Sequence, residues 1–148
     1  MQLDFFNKEE NLALNTTKKP NNYFESQGAE LLAKSFFSYN KCEIFSAPEM
    51  NLVDFSIKHN DKYIGIQVKS SILRKDINRY KFRTSRSYSY TYYPYKDVQI
   101  FALVASDIRR IYLVKNEEQK YLSLRKEDFF RFEDNKENFL NQIFSSLE

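Results

Sequence analysis

The sequence predicts an α/β (α+β) domain with a mixed central β-sheet flanked by helices. Three observations predict it. Apolar residues recur at helical spacing near the start (Leu31, Leu32, Phe36, Phe37) and again near the end (Phe129, Phe132, Leu140, Ile143, Phe144). Between these lie five runs rich in β-branched and aromatic residues. The 148 residues, 42% apolar and 17% aromatic, suffice for one ordinary core, which argues against a multidomain machine.

Residues 1–21 are polar, without a sustained period, and read as a flexible N-terminal arm. A core follows over residues 22–115, with a basic aromatic insertion at 74–96, and residues 116–148 form a helical tail packed on that core. Asn22 with Glu25 three residues on fits a capping box, so a helix starts there and ends near Tyr39 and Asn40. Strands are expected over Cys42 to Ala47, Leu52 to His59 and Lys62 to Ser70. The insertion reads as irregular, either a two-stranded ribbon or a mobile loop. Val98 to Ala105 and Arg110 to Lys115 are two further strands, and the helical tail from Lys126 to Leu147 breaks near Asp134 and Asn135.

Composition excludes several function classes. With two glycines and three prolines the chain has no Gly-rich phosphate loop, and one cysteine and one histidine cannot build a zinc cage. Cys42 reads as a core filler and His59 as a solvated edge residue. The apolar stretch Ile100 to Ala105 falls far short of the roughly 20 residues that span a bilayer. The first residues lack the basic-then-apolar order of a signal peptide, so a cytoplasmic protein without membrane contact is expected.

The chemistry concentrates in one hairpin. Asn60-Asp61 suits a two-residue turn, which pairs His59 with Lys62 and places Asp54 across from Gln67. Lys69, two residues on, shares that face, while Phe55, Ile57, Ile64, Ile66 and Val68 take the other. Gly65 leaves room for a ligand or helix to approach. A carboxylate and an amide oxygen suit Mg²⁺, with Mn²⁺ as a substitute, and the Val68 carbonyl is a candidate third oxygen. The Lys69 ammonium would hold an attacking water and neutralise charge growing on a phosphate.

Asp54, twelve intervening residues and then Gln67-Val68-Lys69, preceded by a helix carrying Ala29-Glu30, resemble the PD-(D/E)XK nuclease superfamily. Within it, the chain is most similar to the Gln-containing subset of group I intron homing endonucleases and related small bacterial endonucleases. Tyr95 to Leu103 followed by Arg110 to Val114 is similar to that subset's closing strand pair, and the resemblance spans roughly Glu25 to Lys115. It implies a restriction-endonuclease-like core and a metal held by Asp54, Gln67 and Glu30, with Glu25 the rival helix carboxylate. Two departures stand out: Val53 rather than proline precedes Asp54, and Gln67 replaces the usual acid. A neutral ligand holds the metal more weakly unless another carboxylate contributes.

The net charge of +3 hides an asymmetry. Seven of the 23 basic residues but one of the 20 acids fall between Arg74 and Lys96, which leaves the rest of the chain net negative. Seven aromatic residues share that segment. Cations for phosphates and rings for stacking are what nucleic-acid surfaces use, so Arg74, Lys75, Arg79, Lys81, Arg83 and Arg86, with Tyr88, Tyr90 and Tyr92, are the candidate DNA contacts. The reading is a Mg²⁺-dependent endonuclease on DNA in which Asp54, Gln67, Lys69 and Glu30 are catalytic. Cutting a duplex takes two sites, so a homodimer or higher homo-oligomer is expected. The alternatives are a catalytically inactive nuclease-like domain that binds nucleic acid or a protein partner, and a pure protein-interaction domain.

Overall fold

A computed structural model describes residues 21–47, 52–86 and 91–148. Helix α1 (Asn21–Tyr39) is the first described element, the flexible arm expected before it lying outside the described residues; strands β1 (Glu43–Ser46), β2 (Phe55–His59), β3 (Lys62–Ser71), β4 (Leu73–Arg74) and β5 (Arg79–Arg83) follow. Strands β6 (Ile100–Ala105), β7 (Arg110–Lys115) and β8 (Tyr121–Leu124) come next, then helices α2 (Lys126–Asp134) and α3 (Lys136–Ser146). Five strands form a mixed sheet in the order β1-β2-β3-β6-β7, in which β3 and β6 run parallel and every other pair antiparallel. The architecture is the mixed α+β sheet with flanking helices that the sequence predicts.

The hairpin register follows from its turn. Asn60 and Asp61 both take positive φ, 49° and 62°, the geometry that matches a two-residue loop to the twist of its strands. The pairs His59↔Lys62 through Phe55↔Ile66 then form as expected. Asp54 lies one residue beyond the ladder, where its N–H donates to the Ile66 carbonyl at 2.9 Å. It therefore does not stand squarely across from Gln67.

The central strand β6 is buried on both faces, the pattern of a strand inside a covered sheet. Ile100, Ala102 and Val104 join Phe55, Ile57, Ile64 and Ile66 in a core closed by α1, α2 and α3. Ala29 and Ala33, one turn apart on α1, let the helix approach the sheet closely and set Glu30 beside β3. On the other face, Phe101, Leu103 and Ala105 pack with Tyr80, Phe82, Tyr93, Leu124 and Phe129. The face that carries Gln67 and Lys69 is thus covered as well.

What covers it is a second sheet, ordered β4-β5-β8. The alternating stretch Tyr80 to Arg83 lies in β5, which pairs with β4 and β8, a strand the sequence did not indicate; most of the second alternating stretch, Tyr88 to Tyr92, lies outside the described residues. Asp107, in the β6–β7 turn, ties this sheet down by accepting hydrogen bonds from the Tyr80 hydroxyl at 3.1 Å and the Leu73 N–H at 3.4 Å. Burial and this bond push the Tyr80 phenol up to about 12.

Three local expectations change. Helix α1 begins at Asn21, so Asn22 lies within its first turn rather than capping it. Gly65 accommodates the chain itself, because a Cβ there would collide with the Asp97 carbonyl oxygen and stand 2.7 Å from Val53 Cγ1. His59 is not free in solvent but stacked on Phe144, with ring centroids 4.0 Å apart. The break between α2 and α3 falls at Asn135, as the sequence indicates. Among the described residues no helix is long and apolar enough to cross a membrane.

Candidate active site

β2 starts opposite Ile66, so from Gln67 onward one edge of β3 has lost its neighbour. Backbone groups alternate sides along a strand. Ile66 and Val68 face the vacated edge, whereas Gly65 and Ser71 bond toward β6 and its extensions. The Val68 N–H would be orphaned there, and the Asp54 carboxylate takes it, with Oδ2 accepting at 2.7 Å. By the same alternation the Val68 carbonyl points to that open edge, so the β6 ladder does not consume it. The donors therefore meet at the edge of β3 and not on its face.

A pocket of about 500 Å³ opens at this edge. Asp54, Gln67, Val68, Lys69 and Ser70 line one wall, and Glu30 with Tyr23, Ser26 and Gln27 of α1 line the other. Asp54, Gln67, Lys69 and Glu30, singled out in the sequence, are brought together. Glu25 instead lines a separate apolar groove with Phe24, Leu32 and Arg109, which leaves Glu30 as the helix carboxylate beside Asp54.

Burial is the largest influence on Asp54 and pushes its carboxyl above the ordinary carboxylate value. The Val68 N–H opposes that shift, the Glu30 carboxylate adds to it, and Lys69 and Lys34 pull it down. Glu30 is paired with Lys34 one turn along α1, at 3.1 Å. A carboxylate raised by burial and by a second carboxylate nearby calls for positive charge, which a divalent cation or a proton on Asp54 meets. Among the described residues no three His, Cys, Asp or Glu side chains gather to hold a metal. The oxygens here come from two acids, an amide and a backbone carbonyl, a set suited to a hard cation that keeps several waters.

Lys69 is half-buried, and its Nζ donates to the Tyr93 hydroxyl at 2.9 Å. Tyr93 and Lys34 are the contacts sequence reasoning passed over. Lys34 was within reach, since it stands four residues after Glu30 where helical ion pairs form. Tyr93 carried no such signal, because only tertiary folding brings it to Lys69.

The basic residues are sorted by strand alternation. Tyr80 and Phe82 point into the second core, leaving Arg79, Lys81 and Arg83 on the outer face of β5. Arg74 stands across from Arg79 and pairs with Asp76 at 2.8 Å, while Arg83 Nε donates to Ser85 Oγ at 3.2 Å. Lys75 and Arg86 are exposed, as is Tyr92, which bridges to Ser85. Tyr88 and Tyr90 lie outside the described residues. Because β3 runs through Ile72 directly into β4, this cationic face begins five residues after Lys69.

No protein-family model and no curated protein matches the chain. In fold it is similar to a solved bacterial homing endonuclease, I-Ssp6803I, with a TM-score of 0.60 over 73% of this chain and 78% of that one. The two share 12% sequence identity, so the likeness is one of fold and marks a nuclease-like architecture.

Proposed function

We propose that the protein is a Mg²⁺-dependent endonuclease that hydrolyses DNA phosphodiester bonds. The observation that carries the reading is the pocket at the vacated edge of β3, where Asp54, Gln67, Glu30 and the Val68 carbonyl converge beside the Lys69 ammonium. The nuclease-like architecture shared with I-Ssp6803I supports it.

Asp54, Gln67 and Glu30 would hold the ion, and the chemistry a divalent cation supplies when bound is neutralisation of charge on phosphate oxygens. Glu30 must exchange its Lys34 partner for that role. Asp54 is already oriented by the Val68 N–H, so little of its freedom remains to be lost. Lys69 places a fixed positive charge where the phosphate gains its extra negative charge during in-line attack by water. The outer face of β5 supplies phosphate contacts along the same strand path, and two copies of the chain act on the two strands of a duplex.

Calorimetric titration with Mg²⁺ tests the ligand set. Gln67→Glu adds a charge at an oxygen already in place and tightens binding, whereas Asp54→Asn weakens it. Identical Mg²⁺ affinity in wild type and both variants would remove these residues from any metal site and favour a nuclease-like domain that only binds.

A further inference from the structure

We infer that Tyr93 is a positioning residue for Lys69, an inference that rests on the endonuclease reading above. Its phenol oxygen fixes the Lys69 ammonium over the pocket, acting through Lys69 rather than on the substrate. Two contacts with different physics converge on the same nitrogen. Nζ donates to the Tyr93 hydroxyl at 2.9 Å and stands 4.8 Å from the centre of the Tyr93 ring. A lysine stem has four flexible bonds, so an ammonium without an anchor sweeps a wide arc. An oxygen and a ring face together confine it. One of its three N–H donors goes to Tyr93, and two remain for water and phosphate.

Tyr93 is itself held firmly. The residue is 8% exposed, and its ring meets Phe101 edge-on, with centroids 5.7 Å apart. Its carbonyl accepts a hydrogen bond from Asn116 Nδ2 at 2.8 Å, and the same nitrogen donates to the Val98 carbonyl at 2.7 Å. Asn116 is 2% exposed, and its own N–H donates to the Gln99 carbonyl at 2.9 Å. A buried amide at the end of β7 thus sets the height of the Tyr93 loop. Burying a polar amide is costly unless every group is paired, and here the pairing fixes one loop relative to β6.

Tyr93→Phe removes the oxygen and keeps the ring, its packing and the cation–π contact, so the melting temperature should stay within a few degrees of wild type. The single-turnover cleavage rate should fall about tenfold, the order expected for losing one hydrogen bond to a charged group. DNA affinity should not change. In a Lys69→Ala background the same substitution should have no further effect, because its only route to the reaction is gone; an additive loss would mean a merely structural tyrosine and overturn the inference. A readout independent of activity is the Lys69 ammonium signal in ¹⁵N-lysine-labelled protein, which should be protected in wild type and exchange faster with water in Tyr93→Phe. Equal cleavage rates in wild type and Tyr93→Phe overturn the inference and leave the endonuclease reading standing. Absence of cleavage by wild type overturns that reading instead, and the ammonium signal then decides alone: unchanged exchange in Tyr93→Phe refutes the anchor, and faster exchange upholds it.

Discussion

Asp54 shows what the pocket costs the fold. Its folded carboxyl value is raised, chiefly by burial, so the native state binds a proton more tightly than the unfolded chain. Stability is therefore lost as pH rises from the ordinary carboxylate value of about 3.9 through the raised one, and at neutral pH the full penalty applies. Asn keeps an oxygen for the Val68 N–H and removes the charge. Asp54→Asn should accordingly melt higher than wild type at pH 7, with the gap closing as pH falls toward about 4. Added Mg²⁺ should stabilise wild type more than the variant. Thermal melts across that pH range, with and without Mg²⁺, are the measurement, and a variant less stable than wild type at pH 7 would make Asp54 a structural residue. That Asp54 shares a pocket with Gln67 and Lys69 was legible in its spacing to them. That it takes the Val68 N–H was not, because this bond depends on where β2 stops.

Strand β5 separates two jobs by alternation, with rings inward and cations outward. If Arg79, Lys81 and Arg83 contact phosphates, changing all three to Gln should lower the slope of log K against log salt by about 2 to 3 on duplex DNA, at about 0.9 per contact. Tyr92→Ala should weaken binding while leaving that slope nearly unchanged. Fluorescence anisotropy over a salt series reads both, and an unchanged slope in the triple variant would place the DNA elsewhere. The end of α1 offers a different test. Lys41 takes φ of 64°, with its N–H donating to Ser38 and that of Cys42 to Phe37, the closing pattern that usually carries glycine. Lys41→Gly should relieve this and stabilise the protein by about 0.5–1 kcal/mol in urea unfolding; a loss of stability would show that the lysine side chain contributes there. The hairpin of β2 and β3 was legible because a two-residue loop admits one register. Strand β8 was not, since four residues with an alternating Ser123 give too weak a pattern and gain meaning only from pairing with β5.

Across the described residues, the sheet is covered on both faces, so the polar pocket sits at an edge. α1 closes one core and brings Glu30, while the second sheet closes the other core and brings Tyr93 against Lys69. The sequence carried the helices, the five strands of the main sheet and the polar residues of the pocket, because periodicity and turn chemistry are local, but not the second sheet that covers one face. The partners that orient those residues, Val68 for Asp54 and Tyr93 for Lys69, are products of tertiary placement and leave no local pattern. The proposed function stands on the vacated edge of β3 being a hydrolytic site. Its most direct test is plasmid nicking by wild type, Asp54→Asn and Lys69→Ala over a range of Mg²⁺. A hydrolytic site there entails Mg²⁺-dependent cleavage by wild type, loss of it in Asp54→Asn, and a rate lower by about 10² to 10³ in Lys69→Ala, the scale of one preorganised charge-stabilising group. Equal cleavage by all three proteins, or none by wild type at any Mg²⁺ concentration, would contradict it.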